Sequence, residues 1–424
     1  MQKIVIIGAG ILGLSIAYWL CRLYDLAVVI VEREHTVAYH ASSRNTGVVH
    51  RPFYLDPTKK RLFVRSALKS YGFWKEFAKE KQLPWREVGT LEVATSERDI
   101  PILEQYVTWS KINELADGEV ELLDGNAVNR LEPSVQCLSA IYCKTDAVVD
   151  FGQFCNALKD DVQAHGVQFM METEVKRIER KGKRVQLALA DKSLLEADLL
   201  INCAGGSSLD IAKKMGLAKH YAALHFRGDY WKIEPSFGKK ITHNIYSVPR
   251  KSKFPFLDPH LIIRPSGGRE IGPNAVPVSG PDVYHGIARN IAGFVAKTFE
   301  SPVGNKARLL VNPEVLDLIY HEWRSSLSKG GMSKRVEKFI PSLNSDLLAG
   351  RGAAGIRTSL IGKDGFVPEA EEVSDELSYH ILNYNSPGAT GAPAFSAHIV
   401  RQLVRSDLLK PPTKRVKEFD DIEV

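Results

Sequence analysis

Three glycines and one acid carry the first recognisable chemistry of this chain. Gly8, Gly10 and Gly13 lie in the turn Gly8-Ala9-Gly10-Ile11-Leu12-Gly13, and Glu32 follows nineteen residues after the last of them. A pyrophosphate needs backbone that it can approach closely. Gly8 permits a tight turn, Gly10 has no Cβ to fend off the phosphates, and Gly13 lets a helix settle close to a sheet. An acid at the spacing of Glu32 accepts hydrogen bonds from ribose hydroxyls, and its charge disfavours a 2′-phosphate.

The flanking residues are those needed to hold that turn. Lys3–Gly8 (KIVIIG) is a β-branched strand, Leu14–Leu20 is an apolar helical stretch, and Ala27–Val31 is a second apolar strand ending at Glu32. Strand, glycine turn, helix, strand and acid in this order form a dinucleotide-binding βαβ unit, with free N–H groups at the helix N-terminus facing the phosphates.

A length of 424 residues suits two or three lobes, and 44% hydrophobic with 25% charged residues is ordinary for a globular chain. The net charge of +6 is mild, and no dense Lys/Arg block with interleaved aromatics is present, which argues against nucleic-acid binding. Five scattered cysteines without a C-x-x-C pair point to reduced thiols and a cytoplasmic-type compartment rather than a disulfide scaffold or zinc site. The histidines are dispersed, so no metal site is expected. The nucleotide unit starts at Met1, so no signal or transit peptide is expected ahead of it, and no apolar run reaches membrane-spanning length.

The pattern beyond the first unit divides the chain into alternating parts: nucleotide-binding segments at 1–85, 150–219 and 347–410, a second lobe at 86–149 and 220–346, and a charged, frayed tail at 411–424. Asp56-Pro57 reads as the start of a helix to about Lys81, Trp85–Ala94 as a strand, and Glu97–Leu115 and Gly125–Arg130 as helices. Phe151–His165 is amphipathic, Val167–Glu172 is a strand, and Glu174–Ala190 is a hairpin turning at Lys181-Gly182-Lys183. Ala197–Asn202 is a buried strand that runs into Cys203-Ala204-Gly205-Gly206 and brings backbone to the nucleotide a second time. Leu224–Ile233, Asn244–Val248, Leu261–Arg264 and Glu270–Gly272 read as an antiparallel sheet, Tyr284–Phe299 and Pro313–Leu327 as helices. From Leu347 we expect glycine turns, one strand (Ser378–Leu382) and a helix near Ala392–Val404. The expected fold is therefore α/β: a Rossmann-type domain in discontinuous segments with an α+β substrate lobe built on an antiparallel sheet.

The N-terminal unit, Asn202–Gly206 and the C-terminal glycine turns resemble the D-amino-acid oxidase superfamily, which implies that FAD rather than NAD lies on this scaffold. A narrower resemblance, to the L-2-hydroxyglutarate dehydrogenase/oxidase family, spans nearly the whole chain. Its segments are Asn45-Thr46-Gly47-Val48-Val49-His50, His225–Tyr230 (HFRGDY), Asn244–Pro249 (NIYSVP), Lys253–Leu257 with His260, Ile271–Val276 (IGPNAV), Ala354–Arg357 (AGIR) and Asn385–Thr390 (NSPGAT). The chain departs from the family pattern at Arg51-Pro52-Phe53-Tyr54, at Ser247 and at Asp258-Pro259, which leaves the exact hydroxy acid open.

The resemblance implies hydride transfer from a 2-hydroxy acid, L-2-hydroxyglutarate or a close relative, to flavin N5. It implies electron delivery to quinone or another acceptor, and a loose, peripheral membrane association. Such chemistry needs a base for the hydroxyl proton, and His50 and His260 are the two candidates, histidine being half-titrated near neutral pH. It needs cations for the carboxylates: Arg227 and Arg357 first, Arg51 and Arg264 behind them. Tyr54 and Tyr246 are candidate donors to substrate. By the same resemblance, Ile11, Leu12, Arg33, Ser42, Ser43, Arg44, Asn45, Gly47, Ala204, Gly205 and Gly355 contact the cofactor, and Val175 offers backbone to the adenine. The Gly388-Ala389-Thr390 turn presents helix N–H groups to the flavin N1/C2=O side. Two other functions remain open: an amine oxidase of the glycine or sarcosine type, and a flavoprotein subunit that binds FAD without catalysis.

Overall fold

A computed structural model describes residues 1–249, 258–286, 299–304 and 324–424, together with positions 295, 297, 306, 313 and 322. The Lys253–Leu257 segment, and most of the expected helices Tyr284–Phe299 and Pro313–Leu327, lie outside these residues.

Two sheets organise the chain. The first has six strands in the order Glu371–Ser374, Ser378–Leu382, Leu199–Asn202, Lys3–Ile7, Ala27–Val31, Gln168–Met170. All neighbours are parallel except the first pair. Strands buried on both faces read as unbroken apolar runs, and KIVII, AVVIV and LLIN are such runs. Helices Ile11–Leu23, Arg61–Glu80, Phe151–Ala164 and Gly388–Arg405 form one apolar core with this sheet, centred on Trp19, Trp74, Phe154 and Phe395. A three-stranded meander, Val175–Lys181, Arg184–Leu189 and Leu194–Ala197, covers the other face. Its first turn is the expected one at Gly182, which takes a φ of +61°.

The second sheet has ten strands. The path runs Gly365–Phe366, Leu348–Gly362, Ala222–Ile233, Arg269–Gly272, His260–Ile263, Asn244–Ser247, Thr90–Ala94, Ser139–Cys143, Val120–Asp124, and Val276–Val278 also pairs with Ala222–Ile233. It is antiparallel apart from the parallel pairing of Asn244–Ser247 with Thr90–Ala94. A small sheet of Val48–Val49, Ala147–Val148 and Arg86–Glu87 lies beside it.

Four expectations are corrected. The helix expected from Asp56 starts at Arg61, because the Asp56 carboxylate accepts from the Thr58 and Lys59 N–H groups and closes a turn instead. The strand expected over Trp85–Ala94 is broken into Arg86–Glu87 and Thr90–Ala94, with Gly89 between them at a φ of +71°. The stretch from Leu347, read as glycine turns of a nucleotide segment, is the fifteen-residue strand Leu348–Gly362, paired along most of its length with Ala222–Ile233. The tail expected to fray is docked: the Thr413 and Lys414 N–H groups donate to the Leu23 carbonyl, and Phe419 packs edge-on against Trp19. No described helix is long and apolar enough to cross a membrane.

Candidate active site

A cleft of about 540 Å³ runs from the glycine turn to the second sheet. At its nucleotide end Gly8 has a φ of +104°, and a Cβ there would stand 2.5 Å from the Cys203 carbonyl oxygen. A Cβ on Gly13 would meet the Gly8 carbonyl at 2.1 Å. Gly13 therefore sets the helix against the strand and does not itself line the cleft. The Ile11 N–H, in the first helical turn, donates to Ser42 Oγ at 3.0 Å. Glu32 is fixed by the N–H groups of Ala9 (2.8 Å) and Glu34 (3.0 Å) and lies on the cleft wall, where its remaining lone pairs can take sugar hydroxyls.

Most of the other residues expected at the cofactor line the same cleft: Leu12, Arg33, Ser42, Arg44, Asn45 and Val175 on one side, Ala204, Gly205 and Gly355 on another. Gly355 is pressed against Arg44, whose carbonyl oxygen would be 2.1 Å from a Cβ. Gly388, Ala389 and Thr390 open the long helix Gly388–Arg405, which has no side-chain cap, and all three line the cleft. Two expected contacts lie off it. The Ser43 hydroxyl is turned to the Ala38 carbonyl (2.6 Å), and Gly47 makes a turn at a φ of +77° against Val149. A glycine cradle, a fixed acid and two helix N-termini facing one cleft fit a dinucleotide with a second group that carries partial negative charge at the far helix end.

At the other end stand His50, Tyr230, Tyr246, His260 and Arg357. His50 follows the short Val48–Val49 strand, whose pairing with Ala147–Val148 brings it beside Asp146. Its Nδ1 lies 3.1 Å from Asp146 Oδ2, and its backbone N–H donates to Thr390 Oγ1 at 3.1 Å. Asp146 is fully buried and also accepts from the Arg51 N–H (2.6 Å) and the Thr90 hydroxyl (2.7 Å). The dyad thus leaves His50 Nε2 for the cleft. Tyr54 is packed edge-on behind His50 at 5.8 Å between ring centroids, outside the cleft lining, with its hydroxyl pushed well up by burial.

His260 is fully buried. Its Nδ1 stands 3.2 Å from the Asp258 carbonyl, and its ring stacks on Tyr246 at 4.1 Å and 21°. Burial lowers its imidazole to about 3, helped by the nearby His50, Arg264 and Arg357. The Tyr246 hydroxyl is raised well above its ordinary range by burial, and that of Tyr230 to about 12 by the same cause. Arg357 is half-buried, and its guanidinium is lowered by desolvation.

Arg227, expected as a carboxylate clamp, is corrected. Along Ala222–Ile233 the residues Phe226, Gly228 and Tyr230 face the cleft, so Arg227 and Asp229 face away. The Arg227 guanidinium binds Asp229 (2.8 Å) and the Gly286 carbonyl. Arg51 and Arg264 are likewise tied, to Glu119 and Glu270, and do not line the cleft. Sequence reasoning missed Asp146, which carries no motif. It also missed Tyr230 and Asn274, which lay inside the quoted HFRGDY and IGPNAV segments.

Residues 3–403 match the model of the DAO family, described as FAD dependent oxidoreductase. The chain is 28% identical over 405 residues to the L-2-hydroxyglutarate dehydrogenase of Salmonella houtenae, covering 95% of this chain and 93% of that protein. It is 28% identical over 429 residues to the mitochondrial L-2-hydroxyglutarate dehydrogenase of Homo sapiens, covering 94% and 88%. In fold it is similar to the FAD-bound L-alpha-glycerophosphate oxidase of Mycoplasma pneumoniae, with a TM-score of 0.74 at 21% identity over 99% of this chain and 98% of that one. It is also similar to the glycine oxidase of Geobacillus kaustophilus, with a TM-score of 0.68 at 16% identity over 98% and 100%. Glycine cradle, fixed acid, facing helix ends and a family match over residues 3–403 agree: the chain belongs to the DAO family of FAD-dependent oxidoreductases.

Proposed function

We propose that this chain oxidises L-2-hydroxyglutarate, or a close 2-hydroxy acid, to the corresponding 2-oxo acid. When bound, FAD supplies the acceptor for the hydride that leaves carbon 2. The observation that carries the reading is the His50–Asp146 dyad in the same pocket as Arg357. His50 Nε2 takes the hydroxyl proton, while its Nδ1–H stays on Asp146, which steadies the charge gained by the ring. Arg357 grips a substrate carboxylate, its fork suited to two parallel N–H···O bonds. The walls of Tyr230, Tyr246 and His260 keep water from the reacting carbon. His50, rather than His260, is the base in this reading. Among the described residues no acid supports a positive charge on His260, which burial and nearby cations hold neutral. The names of the relatives, as dehydrogenases, support a quinone or other organic acceptor over dioxygen.

The test is anaerobic mixing of the holoenzyme with each enantiomer of 2-hydroxyglutarate while flavin absorbance is followed. Rapid bleaching by the L form is expected. Bleaching by glycine or sarcosine instead would make the protein an amine oxidase, and bleaching by none would leave a non-catalytic flavoprotein. Reoxidation of the bleached enzyme by a soluble quinone faster than by dioxygen is expected for the acceptor.

A further inference from the structure

His260 and Tyr246 form a stacked pair in the wall of the cleft, and each keeps a buried polar atom without a hydrogen-bond partner among the described residues: His260 Nε2 and the Tyr246 hydroxyl. Buried polar groups of this kind are uncommon in native interiors, and on residues that line a cleft they are groups that a bound ligand can satisfy. The protonation of the pair is fixed by geometry. A carbonyl only accepts, so the contact of His260 Nδ1 with the Asp258 carbonyl places the ring proton on Nδ1. Nε2 therefore carries a lone pair and is an acceptor, while the tyrosine hydroxyl beside it is free to donate. The low basicity of the ring keeps it in this form through the neutral range.

Resting on the reading of the cleft as a 2-hydroxy-acid site, we propose that His260 is a specificity-determining residue that discriminates substrate from product. Its Nε2 accepts a hydrogen bond from the 2-hydroxyl of the hydroxy acid, and Tyr246 donates to the adjacent carboxylate. The 2-oxo acid keeps that carboxylate but has no hydroxyl proton, so it satisfies Tyr246 and leaves Nε2 buried and unpaired. Oxidation thus removes the donor that His260 Nε2 accepts, and the pocket releases its own product. A buried acceptor left without its partner weakens binding by about tenfold or more. The hydroxyl has one proton, so it turns from His260 Nε2 to His50 Nε2 as the reaction begins: His260 holds the hydroxyl in the ground state, and His50 is the base.

The experiment compares three ligands on the FAD-loaded protein. The Kd of L-2-hydroxyglutarate comes from the concentration dependence of anaerobic flavin reduction, and those of 2-oxoglutarate and glutarate from perturbation of the oxidised flavin spectrum. In the unaltered protein the hydroxy acid binds at least about tenfold more tightly than either analogue. In His260→Phe, which keeps a ring on Tyr246 but removes the acceptor, the Kd values of hydroxy acid and oxo acid converge. In Tyr246→Phe both weaken together and their ratio holds. Mere structural damage weakens every ligand and leaves the ratio as it was. An unaltered ratio in His260→Phe, with the hydroxy acid still bleaching the flavin, overturns this inference alone. Absence of bleaching by any 2-hydroxy acid in the unaltered protein overturns it together with the reading on which it rests.

Discussion

Asp146→Asn is the substitution that asks most of the proposed dyad. Oδ1 of Asp146 accepts the Arg51 backbone N–H at 2.6 Å, and a backbone N–H can only donate. The carboxamide must therefore keep its oxygen at that position and put its NH₂ where Oδ2 stood. Oδ2 now receives the Thr90 hydroxyl at 2.7 Å and His50 Nδ1 at 3.1 Å. The hydroxyl can rotate and accept, but the imidazole has to change tautomer. With NH₂ donating to Nδ1, the ring proton moves to Nε2, the atom that faces the substrate, and no lone pair remains there to take a proton. The loss is that of a positioned base, roughly 10²- to 10⁴-fold in the limiting rate of flavin reduction. The Kd for L-2-hydroxyglutarate should stay within about threefold, because Arg357 and the His260–Tyr246 pair are untouched. Stopped-flow mixing under anaerobic conditions reads both quantities, and the spectrum of the bound flavin reports that the site is intact. Since the two residues act as a unit, His50→Ala added to Asp146→Asn should cost little more than either alone. A limiting rate within about threefold of the unaltered protein, or a further loss of ~100-fold in the double variant, would refute the dyad.

Arg357→Lys should raise the Kd for the hydroxy acid by about tenfold or more through loss of the planar fork. Arg227→Ala should leave that Kd alone and lower thermal stability, because it strands the buried Asp229 carboxylate; equilibrium unfolding beside ligand titration separates the two arginines. Gly355→Ala drives a methyl to 2.1 Å from the Arg44 carbonyl, so it should displace the segment that lines the cofactor cleft and weaken FAD retention, read as flavin released on gel filtration. Glu92, 7% exposed, has its carboxyl raised to about 8 by burial and by Asp146. The folded chain then holds a proton between about pH 4.5 and pH 8 that the unfolded chain gives up, so this group makes stability fall as pH rises through that window and level off above it. Glu92→Gln should flatten the slope and melt higher than the unaltered protein at alkaline pH. The buried His225 and His380 act in the opposite sense. They are lowered to about 3 and about 4 by burial, so stability is lost as pH falls below the ordinary histidine range, and replacing His380 with Gln should shallow that acid limb.

What the sequence revealed and what it hid divide along one line: the distance over which the physics acts. The glycine turn, its strands and Glu32 were legible because a βαβ unit is closed by contacts within thirty-odd residues, and each glycine answers a local steric demand. Asp146 was hidden because it lies ninety-six residues from His50 and meets it only through the pairing of two very short strands. Arg227 was misassigned although the information was present, since alternation over Phe226–Tyr230 puts 226, 228 and 230 on one face and 227 with 229 on the other. The strand Leu348–Gly362 was mistaken for turns because it carries four glycines. Two of them are there for the opposite of flexibility. A side chain at Gly352 would strike the Glu270 carboxylate at 2.7 Å, and one at Gly355 the Arg44 carbonyl at 2.1 Å. Bare backbone at those positions lets the strand that carries Arg357 pass close to both Glu270 and Arg44, the arginine that lines the cofactor cleft. In this chain a glycine-rich stretch far from the nucleotide motif therefore marks close approach as much as it marks a bend, and the arginine that follows it gains its place in the pocket from that closeness.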